Sequence, residues 1–162
     1  MQEESNIVTT KFKHTPVLAH EVLEAIGQLP SSLLKKGTLI DATIGGGGHS
    51  LLFLETYPNL HIIGVDQDPN AIKAASKQLI SFRDRVKIIS SNFSNFIPEG
   101  KVSFVFADLG VSSPQLDQAE RGFSFRLNGP LDMRMNPSIP INAQDLLERT
   151  HEKDLANLIY QY

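Results

Sequence analysis

The chain has 162 residues, 41% hydrophobic and 20% charged, with 15 Lys and Arg against 18 Asp and Glu for a net charge of −3. These proportions describe one soluble globular domain with a single core, and its short, charge-interrupted apolar runs fall below the roughly 20 residues that a membrane span needs. The absence of cysteine excludes disulfide scaffolds, thiolate zinc sites and Cys nucleophiles, while the near-balanced charge requires any nucleic-acid substrate to meet a local basic patch.

Met1 to Thr10 carries two glutamates and no apolar stretch of a secretory signal, so the expected location is the cytoplasm. Thr15 with Pro16 forms an N-cap and first helical position, and Leu18, Val22 and Ile26 follow at helical spacing before Gly27. A first helix is expected over Pro16 to Ile26, then a connector from Pro30 to Gly37. Thr38 to Thr43 reads as strand one and Ser50 to Tyr57 as a helix. His61 to Asp66 reads as strand two, and Asp68 with Pro69 caps a helix to about Leu79 whose inward residues are Ile72, Ala75 and Leu79. Val86 to Ser91 and Val102 to Asp108 complete four strands. Continuous apolar strands separated by helices predict a doubly wound α/β fold, a parallel sheet covered on both faces. Leu109 to Pro140 has four prolines, three glycines and no sustained periodicity. It is too long for a connector and reads as a lid or binding loop, with a disordered tail as the alternative. Residues 142–149 and 150–162 read as two helices.

Asp41-Ala-Thr-Ile-Gly-Gly-Gly-Gly-His-Ser50 is a strand that runs into four glycines opening a helix. Glycines at such a turn permit positive φ and close backbone approach, with helix N-terminal amides aimed at a negative group. Asp66 ends the next strand 18 residues beyond Gly48, where a carboxylate can accept both hydroxyls of a ribose. Because Asp68 and Pro69 already serve as the helix entry, Asp66 is expected to be free for a ligand. These features point to an adenosine-containing cofactor, either a nicotinamide dinucleotide or S-adenosylmethionine. Two later sites favour the second. Phe93, after strand three, can pack on an adenine with Asn92 hydrogen-bonding nearby, although Phe93 and Phe96 at spacing three also fit a core pair. Asp108-Leu-Gly-Val-Ser-Ser-Pro-Gln115 ends strand four, and an acidic residue there can face a sulfonium or an amine awaiting methylation.

The segments His14-Thr-Pro-Val-Leu18, Gly45-Gly-Gly-Gly-His-Ser50, Asp66-Gln-Asp-Pro69, Asp108-Leu-Gly-Val-Ser-Ser-Pro-Gln-Leu-Asp117, Arg121-Gly-Phe-Ser-Phe125 and Gly129-Pro-Leu-Asp-Met-Arg-Met135 closely resemble the small-subunit methyltransferase H family, bacterial 16S ribosomal RNA cytosine-N4 methyltransferases. The match is ordered and collinear from about Phe12 to the last residue. The resemblance implies a Rossmann-like methyltransferase fold. It implies S-adenosylmethionine held by Gly47, Gly48 and His49, by Asp66 on the ribose, and by Phe93, Asp108 and Gln115. Its target would be the exocyclic amine of a cytosine in the decoding region of small-subunit ribosomal RNA, free or in the assembled subunit. Family members continue with an inserted helical region and further strands, so this chain is expected to be an N-terminal portion, truncated after strand four and the loop. The expected division is a tail at 1–13, a cofactor-binding core at 14–141 with its loop at 109–140, and the start of the helical region at 142–162.

On that reading the reaction is an in-line displacement at the sulfonium methyl by cytosine N4, resting on positioning and electrostatics. Asp108 is the candidate catalytic group, holding the amine. The lack of cysteine suits amine rather than ring-carbon methylation. Arg121, Arg126 and Arg134 with Phe123 and Phe125, within Ser112 to Met135, are expected to meet RNA through phosphate contacts and stacking, unless they form an ordinary solvated surface. The five histidines form no metal-ligand pattern, and no metal is expected. The alternatives are an inactive cofactor-binding fragment and a nicotinamide-dependent oxidoreductase, which leaves Asp108 and Gln115 unexplained.

Overall fold

A computed structural model describes residues 16–162. The expected Thr15 cap, His14 and the 1–13 tail lie outside the described residues. Four strands, β1 (Thr38–Asp41), β2 (His61–Asp66), β3 (Val86–Ser90) and β4 (Phe104–Phe106), form a wholly parallel sheet in the order β3-β2-β1-β4. The chain steps from β1 to β3 on one side, then crosses back so that β4 pairs with the other side of β1. That reversal lies between β1 and β4, and open parallel sheets bind ligands outside the C-terminal ends of the strands at such a point.

The parallel α/β fold is the expected one, and β2 has the expected bounds. β1 stops at Asp41, two residues early, because the chain turns back there and the Thr43 N–H donates to Asp41 Oδ1 at 3.3 Å. β4 is shorter than 102–108 because the Asp108 N–H leaves the ladder and donates to Thr43 Oγ1 at 2.7 Å.

The helices are α1 (Ala19–Gly27), α2 (Ser31–Lys35), α3 (Gly48–Thr56), α4 (Pro69–Gln78), α5 (Ser113–Asp117), α6 (Ala143–Arg149) and α7 (Glu152–Gln161). α1 begins three residues after Pro16 because Leu18 is left-handed, with φ 51°, and cannot extend a right-handed helix. The expected connector contains α2. Pro30 presets its entry, the Leu33 N–H donates to the Pro30 carbonyl at 2.9 Å, and Leu34 packs on the core. Asp68 caps α4 as expected, accepting from the Asn70 N–H at 2.9 Å, with Pro69 opening the helix.

Helices pack on one face of the sheet. Ile26 of α1, Phe53 and Leu54 of α3, and Ala75 of α4 with Leu79 just beyond it enclose Leu39 and Ile62. The expectation of two covered faces is therefore met on one side. On the other side the buried Ile40 and Val65, with Ile63 and Ile89, are packed by the loop residues Ala42, Phe96 and Val102, and Val105 of β4 is 63% exposed. Among the described residues no helix contributes to that cluster.

The 109–140 segment folds back on itself. Residue 129 must be glycine, because a Cβ there would lie 1.9 Å from the Ala119 carbonyl oxygen. The Met133 N–H donates to Arg121 O at 3.1 Å, and the Ala143 and Gln144 N–H groups donate to Asp132 O and Leu131 O at 2.9 Å, joining the segment to α6. α6 and α7 match the two helices expected at the end, and α6 opens with a reciprocal cap between Asn142 and Asp145. Among the described residues no helix is long and apolar enough to cross a membrane.

Candidate functional site

The glycine run follows the end of β1, at the point where the strand order reverses. Gly45 and Gly47 have φ of 52° and 87°, the left-handed region that favours glycine. Gly47 caps α3, so the helix starts at Gly48 rather than Ser50 and takes His49 and Ser50 into its first turn, both buried. A Cβ at Gly47 would come within 3.2 Å of Leu79 and one at Gly48 within 3.0 Å of Pro16, whereas one at Gly46 would meet nothing within 4 Å. The turn is tightly packed against the protein at two positions and open at a third.

Asp66 stands on the β2 side of this turn. Its Oδ2 accepts from the Gly45 N–H and its Oδ1 from the Asp68 N–H, each at 2.9 Å. It is therefore engaged with the turn rather than wholly free. A carboxylate oxygen has two acceptor positions, so each oxygen retains one, sufficient for the two hydroxyls of a ribose.

Asp108 stands on the β4 side with its side chain 50% exposed, and its Oδ2 lies 3.8 Å from His49 Nδ1. His49 Nε2 is 2.9 Å from the Val17 carbonyl oxygen, which can only accept, so the proton sits on Nε2 and Nδ1 faces Asp108. The imidazole is held by ring contacts to Phe106 and Phe53, with centroids 4.9 and 6.2 Å away. His49 thereby connects the α1 entry, the glycine turn and the end of β4.

Phe93 opens the 3₁₀ turn Phe93–Asn95 after β3 and is half exposed. Of the possible core pair, Phe96 packs in the core and Phe93 does not. Asn92 Nδ2 donates to Gln67 Oε1 at 3.3 Å, which links the end of β3 to the residue after Asp66. Gln115 is buried. Its Oε1 accepts from the Ser112 N–H and its Nε2 donates to Asp68 Oδ2, both at 3.0 Å, so both ends of its amide are held by the protein. The structure thus gathers Gly47, Gly48, His49, Asp66 and Asp108 around one turn, sets Phe93 at the end of β3, and reaches Gln115 only through Asp68.

Of the three arginines expected to meet RNA, the structure corrects Arg121 and pairs Arg134 with a neighbouring carboxylate. Arg121 is buried, donating from Nη1 to Asp68 Oδ2 at 2.8 Å. Arg134 forms a two-pronged pair with Asp132, from Nε at 2.9 Å and Nη2 at 2.6 Å. Each guanidinium is paired with a carboxylate, buried for Arg121 and partly exposed for Arg134, and only the tertiary fold brings Asp68 beside Arg121. Phe123 lies under the Arg121 guanidinium, 5.9 Å from it. Arg126 and Phe125 remain exposed, as a nucleic-acid contact would need.

Two residues of the site were not singled out from sequence. Thr43 receives the Asp108 N–H and so sets where that carboxylate begins. Asp41 is 1% exposed and accepts from Ser50 Oγ at 2.7 Å. Burial pushes its carboxyl up to about 6, although the Ser50 and Thr43 hydrogen bonds oppose this. Its sequence signal was an acidic residue inside an apolar strand, next to the glycine run.

A family model described as the MraW methylase family matches residues 11–162. Ribosomal RNA small subunit methyltransferase H of Prochlorococcus marinus strain SARG is 69% identical over 162 residues, 100% of this chain and 53% of that protein. The protein of the same description from Prochlorococcus marinus strain MIT 9211 is 60% identical over 162 residues, again 100% and 53%. That from Synechococcus sp. strain WH7803 is 52% identical over 163 residues, with the same shares. The chain spans about half the length of the curated relatives it matches. With the model match running through the glycine turn, Asp66, Asp108 and both terminal helices, the chain belongs to the MraW methylase family.

Proposed function

We propose that this chain is the cofactor-binding portion of an S-adenosylmethionine-dependent methyltransferase acting on N4 of a cytosine in small-subunit ribosomal RNA, in the cytoplasm. The observation that carries the reading is the glycine turn at the sheet reversal, open at Gly46 and flanked by the carboxylates of Asp66 and Asp108. Relatives described as ribosomal RNA small subunit methyltransferase H supply the substrate class.

S-adenosylmethionine supplies a methyl group on a sulfonium centre when bound. Gly47 and Gly48 would hold it through the backbone of a turn that packs tightly on Leu79 and Pro16 and is open at Gly46, and Asp66 would accept from the ribose hydroxyls with its remaining acceptor positions. Phe93 offers an aromatic face to the base, and His49 fixes the wall between the turn and β4. Asp108, half exposed, would accept a hydrogen bond from the amine that receives the methyl group and so orient it. A carboxylate suits this task because it only accepts when ionised, so it favours an amine over a carbonyl oxygen at that point. Gln115 acts at one remove, through Asp68. No thiolate is needed, consistent with a chain lacking cysteine.

Calorimetric titration tests the cofactor. S-adenosylhomocysteine is expected to bind, NAD is not, and Asp66→Ala should weaken binding at least ten-fold. Binding of NAD alone would overturn the reading. Methyl transfer to isolated small ribosomal subunits tests the reaction. Asp108→Ala should lose far more transfer than S-adenosylhomocysteine binding, and unchanged transfer would remove Asp108 from the chemistry.

A further inference from the structure

Asp68 receives more than its role as the cap of α4 requires. It is 2% exposed, and its Oδ1 accepts from the Asn70 N–H. Its Oδ2 accepts from both Gln115 Nε2 at 3.0 Å and Arg121 Nη1 at 2.8 Å. Burial alone would raise its carboxyl, but the Gln115 amide and the Arg121 guanidinium hold it below the usual range. The other arm of Arg121 reaches elsewhere: Nη2 donates to the carbonyl oxygens of Arg134 and Met135 at 3.1 and 3.0 Å. One guanidinium thus joins two stretches of chain 13 or more residues from it in sequence.

The first stretch is the end of β2. Asp66 and Asp68 share a turn, in which Asp66 Oδ1 accepts the Asp68 N–H, and Gln67 lies between them. The second stretch contains Met133, left-handed at φ 57°, whose N–H donates to Arg121 O. The two stretches also meet directly, with Gln67 Nε2 3.6 Å from Met135 Sδ. A buried ion pair is a poor general stabiliser compared with apolar packing of the same volume. What a planar, multiply donating guanidinium adds is a fixed geometry at both ends.

We propose that Arg121 is a positioning residue for the cofactor. By clamping Asp68 to the Arg134 and Met135 carbonyls it holds Met135 against Gln67 and keeps the Asp66 turn in its ligand-accepting shape. The proposal rests on the cofactor reading above. Both terminal nitrogens of Arg121 donate to the protein itself, so it acts through Asp68 and the two carbonyls. Lysine in its place retains a charge for Asp68 but has no second arm for the two carbonyls.

The test compares the full chain with Arg121→Lys and Arg121→Met, using calorimetric titration with S-adenosylhomocysteine and amide hydrogen exchange. For Arg121→Lys we expect a native far-UV spectrum at 25 °C and faster exchange at residues 67–68 and 133–135. Affinity should fall about ten-fold, and Arg121→Met should fall further. Exchange that quickens while the Arg121→Lys affinity stays within two-fold of the unaltered chain would make the clamp purely structural and overturn the proposal. If the unaltered chain gives no binding heat, the cofactor reading fails and this proposal falls with it. Binding by the unaltered chain with no loss in Arg121→Lys fails the proposal alone.

Discussion

The two faces of the sheet differ in what covers them. Leu39, Ile62 and Phe104 point toward α1, α3 and α4 and lie in a continuous helix-backed core. Ile40, Ile63, Val65 and Ile89 point the other way and meet loop residues, and Val105 on the same face is largely in solvent. The pleat sends alternate residues of each strand to opposite faces, so apolar composition is shared between them while burial is not. The glycine turn belongs to the helix-backed side: α3 starts from it, Ser50 bonds to Asp41 beneath it, and Leu79 packs against Gly47. A site that must hold backbone positions closely is built over the better-packed face.

The largest expected effect would come from breaking the covered face. Phe53 is fully buried and its ring meets Phe106 edge-on at 5.3 Å. Phe53→Ala should lose about 3–5 kcal/mol in urea denaturation, and a loss below about 1 kcal/mol would mean this face is not the principal core.

Next comes the buried carboxyl. Because burial pushes Asp41 from 3.8 up to about 6, the folded state favours its protonated form. The associated stability is fully present below the unfolded value and is lost as pH rises through the folded one. Across that window the loss is on the order of 3 kcal/mol. In Asp41→Asn this loss is removed, so its stability relative to the unaltered chain should rise by about that amount between roughly pH 4 and pH 7. Parallel pH profiles from thermal unfolding would contradict the assignment.

Gly47→Ala probes the turn itself. The left-handed φ of 87° and the 3.2 Å approach to Leu79 should together cost about 1–2 kcal/mol, read as a lowered melting temperature. An unchanged melting temperature would show that the turn tolerates a side chain. On the open face, Val105→Ser should change stability by less than about 0.5 kcal/mol. A larger loss would mean that this face is covered in solution.

Much of the fold was legible in the sequence because its signals are local. β-branched runs, the Asp68-Pro69 cap and the glycine run each act within a few residues, and all four strands and the capped α4 follow from them. Element ends were less legible, since β1 and β4 stop where Asp41 and Thr43 side chains take backbone donors. The bonds made by Asp66 and the exposure of Phe93 and Asp108 likewise became visible only in three dimensions.

By itself, the sequence determined the alternation of helix and strand, the glycine turn, and the acidic residues at the end of β2 and just beyond β4. Tertiary structure decided which side chains are available. Arg121 and Arg126 look alike in sequence, yet one is buried against Asp68, 53 residues away, and the other stays exposed. Sequence patterns report local propensity and the side of an element a residue faces, whereas a charge's partner depends on which distant segments the chain brings together. The strand order places Asp66 and Asp108 on either side of one glycine turn for the same reason.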